Sequence, residues 1–303
     1  MADIEIPPTS APLTTGQPGW ILSVWQSRRI QSLITKVISH TFLITGALIM
    51  IVPFIWMLST SFKSPGKTFV YPPEWIPQPF VWQNYVEMWQ ALPFNQFFLN
   101  SIKISTLATI GQLVTCSMGG FVFSALRFKG RDFLFLVLIA TLMIPYQVTL
   151  IPTFILFSKI GWVGTHLPLW VPAFWGGAFG TFLLRQFYLT IPIELAESAR
   201  IDGANIFQIF THIYVPLSKP ALATLGIFTF MWSWNDLLNP LIYVSELKQL
   251  TLTVGLSFFQ NQYGGKWTLM MAGAVVSILP ILLIFFFAQK YFIQGIAMTG
   301  IKR

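Results

Sequence analysis

The sequence predicts an all-α membrane protein with six transmembrane helices. Of its 303 residues, 54% are hydrophobic and only 9% are charged, and the mean hydropathy is +0.67. These values are typical of integral membrane proteins and argue against one or two soluble domains of the same length. None of the apolar stretches alternates like a barrel strand, so helices are the expected way to cross the bilayer.

Six stretches are long and apolar enough to cross a bilayer core of roughly 30 Å as helices. They lie at about residues 37–59, 104–126, 133–157, 166–184, 220–243 and 268–289. The prolines inside these stretches are expected to kink the helices: Pro53, Pro145, Pro152, Pro172 and Pro280. Residues 1–33 are predicted to be a flexible N-terminal tail without a signal-peptide core, and residues 34–303 a single six-helix domain.

The distribution of lysine and arginine predicts that both termini, the N-terminal tail included, are cytoplasmic. In that orientation twelve of the 18 basic residues, including every arginine, lie in cytoplasmic segments. The formal net charge of +8 is explained in this way and requires no nucleic-acid partner. The sequence therefore predicts a multi-pass protein of a cell membrane, in contact with lipid.

Residues 190–220 form a polar segment that the orientation places in the cytoplasm. Pro192 suits the first turn of a helix, where its missing N–H costs nothing. Glu194 and Glu197 then lie near the positive end of the helix dipole. Gly203 can adopt the left-handed conformation that ends this helix. The pattern predicts one short helix followed by a corner.

A second short helix is predicted after the corner. Asn205 can cap it, with Gln208 as the capping-box partner three residues later. An apolar stripe follows at helical spacing: Ile206, Ile209, Phe210 and Ile213. A helix lying on the membrane surface is the alternative interpretation, but residues 201–218 contain no lysine or arginine, which such helices usually carry. A protein partner is therefore favoured.

This segment resembles the EAA loop of ABC-importer permeases. The resemblance rests on the sequence ESARIDGA at residues 197–204, which is followed by Ile213 and Pro216. The form ARIDGA is similar to permeases of carbohydrate importers of the maltose/multiple-sugar type. Further similarity lies in Trp234-Asn235-Asp236, Leu250-Thr251-Leu252, residues 69–89, Asn100-Ser101 and residues 289–303. Ser198 departs from the family, which usually has alanine there.

The resemblance implies a type I ABC-importer permease fold in which the loop at 190–220 couples the membrane helices to a cytoplasmic ABC ATPase dimer. The residues implied in docking are Glu197, Ser198, Ala199, Asp202, Gly203, Ala204, Phe207, Phe210 and Pro216. Gly203 would form the corner, Glu197 and Asp202 would cap or pair, and the face of Phe207 and Phe210 would contact the membrane domain or the ATPase.

The resemblance also implies the other components of the system. A second permease subunit would complete the pathway as a heterodimer, and an extracytoplasmic solute-binding protein would deliver a sugar substrate. ATP and Mg²⁺ would bind the partner ATPase, because this chain has no Walker motif; Gly66-Lys67-Thr68 lacks the glycine of a phosphate loop, with Ser61 in its place. No cofactor is expected on this chain, and it is not expected to be an enzyme.

Two groups of polar residues are candidates for the substrate pathway. Ser105, Thr109 and Gln112 lie on one face of the second span, where they could offer hydroxyls and an amide to a sugar or form hydrogen bonds between helices. Asn235 and Asp236 interrupt the fifth span. An ionisable residue at membrane depth indicates function by default, but Asp236 could instead hold a helix end near the outer water.

Other chemistry finds little support. Cys116 is the single cysteine, and the three histidines have no neighbours at ligand spacing, so no metal site is predicted. Gly176 and Gly180 form a GxxxG motif that favours close helix contact.

The alternative function is an ion-gradient-driven secondary transporter, which would need repeated halves and several intramembrane carboxylates. A membrane scaffold without transport activity would leave the polar segment unexplained.

Overall fold

The computed structural model describes residues 28–261 and 265–300, and in these ranges the chain forms helices and turns without a β-strand. Residues 1–27 of the predicted tail lie outside the described residues, and residues 28–33 belong to the first helix. The chain divides into two compact units, Met1–Trp56 and Met57–Arg303.

The first unit contains most of helix α1, Arg28–Ser61. Every side chain from residue 31 to residue 55 is exposed within it, and most of them are apolar. Pro53 lies inside the helix without ending it. A helix that is hydrophobic on all sides suits lipid rather than water, so α1 has the properties of a membrane-crossing helix.

The second unit holds the end of α1 and twelve further helices in its described part. These are α2 (Gln83–Ala91), α3 (Phe94–Ala125), α4 (Arg131–Ala140), α5 (Tyr146–Lys159), α6 (Leu167–Trp170), α7 (Ala178–Tyr188), α8 (Ile193–Ile201), α9 (Ile206–Leu217), α10 (Lys219–Trp234), α11 (Leu238–Tyr243), α12 (Leu252–Asn261) and α13 (Trp267–Gly300). Short 3₁₀ turns extend α4 and α6. A π-helical turn at Phe210–Tyr214 forms the middle of α9.

Four segments among the described residues are long and apolar enough to cross a membrane: Gln31–Ser61, Phe94–Ala125, Leu167–Tyr188 and Trp267–Phe287. The total reaches six if each of two bent pairs is counted as one span. One pair, Arg131–Met143 with Tyr146–Lys159, is bent by 98°, and the other, Ile206–Leu217 with Lys219–Trp234, by 78°. The all-α class and the range of four to six spans agree with the prediction from composition.

Three of the predicted spans are not continuous helices, and one of them, 166–184, is interrupted at Gly176 and Gly177. The third, 133–157, breaks where Ile144 has an extended backbone ahead of Pro145, because a proline disfavours helical geometry in the residue before it. The fifth, 220–243, ends as a helix at Trp234 and resumes only at Leu238. The latter two breaks lie where the sequence predicts irregularity, because Pro145 is predicted to kink the third span and Asn235 and Asp236 to interrupt the fifth.

Close packing of α3 against α7 depends on glycine. A Cβ added to Gly180 would lie 2.7 Å from Cys116 Sγ, and one added to Gly120 would lie 2.9 Å from Leu184 Cβ. Gly180 therefore makes the close contact that the GxxxG motif predicted. Gly176 has a different role, because its φ of +87° ends the 3₁₀ turn that precedes α7.

The buried apolar side chains form two clusters in the described part of the second unit. The first includes Phe97, Trp234 and Phe259, and gathers α3, α10 and α12. The second includes Leu184 and Tyr214, and joins α3 and α7 to the polar segment. The polar segment is thus part of a packed core on its inner side.

Candidate functional site

The corner of the polar segment is built on Gly203. Helix α8 ends with Gly203 N–H donating to the Arg200 carbonyl at 3.1 Å and Ala204 N–H donating to the Ala199 carbonyl at 2.9 Å. Gly203 has a φ of +88°, in the left-handed region that favours glycine. The predicted corner is present in the structure.

The capping box that opens α9 is also confirmed. Gln208 N–H donates to Asn205 Oδ1 at 2.9 Å, and Asn205 N–H donates to Gln208 Oε1 at 2.8 Å. Each side chain thereby satisfies a backbone donor at the start of the helix. The two helices α8 and α9 consequently meet at a defined angle rather than through a loose loop.

The inner face of α9 is anchored to the membrane helices by aromatic rings. Phe210 and Tyr214 are buried, and both contact Phe121 on α3, with ring centroids 5.2 Å and 4.9 Å away. Tyr214 also meets Tyr188 on α7 edge-on at 5.4 Å. Burial raises the pKa of the Tyr214 phenol, and the nearby Arg200 partly opposes this effect. The phenol is therefore neutral at physiological pH.

The outer face of the segment is apolar and exposed. Ile201 is 86% exposed and Phe207 is 67% exposed. The predicted face of Phe207 and Phe210 is thus divided, because Phe210 packs inward while Phe207 points away from the chain. Pro216 is exposed in the last turn of α9. Surface of this kind in a polar segment indicates a site of protein contact.

The small and charged residues of the segment occupy its outer rim. Ala199 and Ala204 are half-buried beside the corner, and Ser198 Oγ donates to the Leu195 carbonyl at 3.1 Å. Glu197 and Asp202 are exposed, and neither forms an ion pair with another described residue. The expected ion pairing of these two carboxylates is therefore not found among the described residues.

A groove of about 540 Å³ lies between the segment and the end of α3. Its rim carries Arg127, Glu197 and Arg200, and its floor includes Phe121 and Tyr214. Basic and acidic groups therefore alternate above an aromatic floor.

The predicted polar face of α3 is used mainly for packing. Ser105 is fully buried, and Thr109 Oγ1 donates to the Ser105 carbonyl of its own helix at 2.7 Å. Gln112 Nε2 donates to the Ala173 carbonyl at 3.3 Å, and Gln112 Oε1 accepts a hydrogen bond from Cys116 Sγ at 3.0 Å. Of these contacts, the bond from Gln112 to Ala173 is the one that leaves the helix, as the alternative of hydrogen bonding between helices requires.

A second cavity, of about 460 Å³, brings Gln112 and Asp236 together. Ser105, Thr109 and Asn235 do not line it. It also contains residues that the sequence reasoning missed: Phe179, Thr229, Trp232 and Ser233. The sequence pattern could have identified Thr229, Trp232 and Ser233, because together with Asp236 they follow the spacing of one helical face.

Asp236 holds the break between α10 and α11. Its Oδ1 accepts a hydrogen bond from Asn239 N–H at 3.1 Å, and its Oδ2 accepts one from Asn239 Nδ2 at 2.7 Å. Asn239 Oδ1 in turn accepts a hydrogen bond from the Tyr146 hydroxyl, next to the break between α4 and α5. Asn235 is exposed, and its Nδ2 donates to the Met231 carbonyl at 2.8 Å. Asp236 thus caps a helix end while still lining the cavity.

Comparison with known proteins identifies the class of protein that carries these two sites. The family model described as "Binding-protein-dependent transport system inner membrane component" matches residues 113–298, which include the polar segment and the α10 side of the cavity. The chain belongs to this family. It is therefore a multi-pass inner-membrane permease of a binding-protein-dependent transport system. Proteins of this family are transport components rather than enzymes. The secondary-transporter alternative is rejected.

Curated permeases of this family are similar along most of their length. The osmoprotective compounds uptake permease protein GgtD of Synechocystis sp. is 33% identical over 272 residues, covering 87% of this chain and 91% of that protein. The arabinooligosaccharides transport system permease protein AraQ of Halalkalibacterium halodurans is 34% identical over 245 residues, covering 80% and 86%. The sn-glycerol-3-phosphate transport system permease protein UgpE of Yersinia pestis is 30% identical over 265 residues, covering 85% and 94%.

Solved structures share the permease fold. A chain of a bacterial ABC transporter involved in the import of the acidic polysaccharide alginate superposes with a TM-score of 0.75 at 24% identity, covering 88% of this chain and 98% of that one. A chain of a bacterial alginate ABC transporter in complex with an alginate pentasaccharide-bound periplasmic protein superposes with a TM-score of 0.62 at 16% identity, covering 86% and 96%. The predicted fold of an ABC-importer permease is thereby confirmed.

Proposed function

We propose that this permease forms half of the transmembrane pathway of an ATP-driven importer for a sugar or oligosaccharide, and that residues 190–220 couple it to a separate ATPase. The observation that carries the proposal is the polar segment, which is anchored on one face and exposed and apolar on the other. The relative named for arabinooligosaccharides and the structural neighbour named for alginate import support a carbohydrate substrate.

The exposed face of the segment fits a protein cleft. Burying a side chain the size of Ile201 or Phe207 stabilises a contact by about 1.5–3 kcal/mol. The carboxylates of Glu197 and Asp202 lie free at the rim to meet basic groups of a partner. Because Phe210 is held inside this chain, Phe207 supplies the aromatic contact to the ATPase.

Movement of the segment has a physical route to the cavity. The rings of Phe210 and Tyr214 join it to α3 and α7, so a displacement of α9 moves those helices too. The bend at Ser218 is tied by its N–H to the Tyr214 carbonyl at 3.0 Å. Beyond it, α10 runs unbroken to Trp234 beside the cavity. A packed element of this kind transmits a shift instead of absorbing it.

The remaining components follow from the class of importer. We place both termini in the cytoplasm, because this orientation puts the segment beside the ATPase, which binds ATP and Mg²⁺. A second permease subunit completes the pathway, and a solute-binding protein delivers the sugar on the opposite side. The second alginate structure, which contains a periplasmic protein, supports this partner.

The test is co-purification of the tagged chain in mild detergent, with mass spectrometry of the associated proteins. An ATPase and a second permease should accompany the native chain. Phe207→Asp should lose the ATPase but keep the second permease. Tyr71→Asp is the control, because Tyr71 is an exposed aromatic residue that lies outside both the segment and the predicted spans. Equal ATPase retention by both variants would contradict the proposed coupling role.

A further inference from the structure

The second cavity contains a largely exposed aromatic ring. Trp232 lies on α10, and 63% of its surface is exposed although it lines the cavity. Thr229 and Ser233 lie beside it on α10, and Asp236 follows just past the end of this helix. The exposed indole surface is therefore bordered by polar groups on one side and by apolar side chains such as Phe179 and Leu225 on the other, a mixed setting that suits an amphipathic ligand.

The ring is held in place from behind. Phe179 on α7 lies against Trp232 with ring centroids 5.5 Å apart, and Phe228 stacks on it at 6.5 Å with an interplanar angle of 25°. Phe179 and Phe228 also contact each other edge-on. Because its orientation is fixed by two other aromatics, Trp232 needs little ordering when a ligand covers its open surface.

We propose that Trp232 is a stacking platform for one sugar ring, and that the hydroxyls of Thr229 and Ser233 bind the hydroxyl edge of that ring. A sugar ring has apolar C–H faces and a polar rim, so it matches an indole surface bordered by hydroxyl groups. The Gln112 amide, across the cavity on α3, supplies a further hydrogen-bonding group. This inference rests on the proposed function and assigns sugar contact to this half of the pathway.

The chemistry of the cavity favours a neutral sugar. Among the described residues that line it, Asp236 is the one charged side chain. Its oxygens are oriented by Asn239, which leaves lone pairs for further donors such as sugar hydroxyls. Lysine or arginine, which would recognise a phosphate or a uronic acid bidentately, is absent from this described lining.

The test uses the complex purified through a tag on this chain, with its co-purifying subunits and binding protein. Binding of labelled neutral arabino-, malto- and xylo-oligosaccharides is measured with a non-hydrolysable ATP analogue present, and uptake is measured in ATP-loaded vesicles. Trp232→Ala should weaken binding roughly tenfold, corresponding to the loss of one buried aromatic contact. Trp232→Phe, which keeps a stacking surface, should stay within about threefold of the native complex.

Trp175→Ala is the matched control, because Trp175 is 67% exposed but does not line the cavity. It should leave sugar binding unchanged. Equal effects of Trp232→Ala and Trp175→Ala would overturn the inference alone. Loss of the second permease from the Trp232→Ala complex would also overturn it, because Trp232 would then be a subunit contact. If the native complex neither binds nor takes up any of these sugars, the proposed function fails together with the inference.

Discussion

The rings of Phe121 on α3 and Phe210 on α9 lie with their centroids 5.2 Å apart at an interplanar angle of 44°. This contact fastens the polar segment to α3, a helix of 32 residues. The same segment presents Phe207, only three residues away, to the outside. One short helix therefore has an anchored face and an exposed face, and substitutions on the two faces should have different consequences.

Phe210→Ala should destabilise the permease, because truncating a buried phenylalanine costs about 3–5 kcal/mol. Phe207→Ala should change the stability of the chain by less than about 0.5 kcal/mol, since its side chain is exposed. Both can be measured in detergent as the temperature at which a thiol-reactive dye labels Cys116, the single and buried cysteine. A similar loss of stability in the two variants would show that Phe207 is packed as well.

Gly203→Ala should weaken association with the ATPase severalfold. Space is not the reason, because no atom lies within 4 Å of an added Cβ. The reason is the φ of +88°, where a side chain costs about 1–2 kcal/mol and would shift the corner. Gly66→Ala is the control, because Gly66 has equally open surroundings and no positive φ. The measurement is the amount of ATPase that co-purifies with each variant. Identical amounts from both variants would contradict a role of the Gly203 corner in ATPase association.

Asp236→Ala should cost about 0.5–2 kcal/mol, as expected for removal of a side chain that caps a helix. Asp236→Asn should cost less, because one acceptor oxygen remains for Asn239 N–H. Thermal labelling of Cys116 measures both variants. If the asparagine variant is as unstable as the alanine variant, the charge of Asp236 matters more than its capping of α11.

Gly180→Ala and Gly226→Ala should change stability in opposite directions. At Gly180 the new Cβ would lie 2.7 Å from Cys116 Sγ, so overpacking should cost about 1–3 kcal/mol. At Gly226 the nearest atom is Leu113 Cδ1 at 3.6 Å, an ordinary contact, and alanine in a helix should stabilise by about 0.4–1 kcal/mol. The temperature of half-unfolding, followed by loss of helical circular dichroism, is the measurement for this pair. Destabilisation by both substitutions would show that α10 packs more tightly than the distances indicate.

Local chemistry allowed much of the polar segment to be predicted. The corner at Gly203 and the capping box of Asn205 and Gln208 depend on residues within a few positions of each other, and a linear pattern records such relations directly. The two faces of α9 were harder to predict from the sequence, because the apolar stripe of this helix shows which side chains are apolar but not which partner covers them. Only the position of Phe121 on α3 decided that Phe210 turns inward.

The sequence by itself determined that the protein is helical, that it crosses a membrane, and that one polar segment folds as two short helices around a glycine corner, because composition and short-range spacing fix these properties. The tertiary structure decided which polar residues share a cavity. Ser105 and Thr109 belong to the same helical face as Gln112, yet Ser105 is fully buried, the Thr109 hydroxyl donates to its own helix, and of the three only Gln112 lines the cavity with Trp232 and Asp236. Such a neighbourhood combines residues more than a hundred positions apart, and the relation between them exists only once the helices are packed.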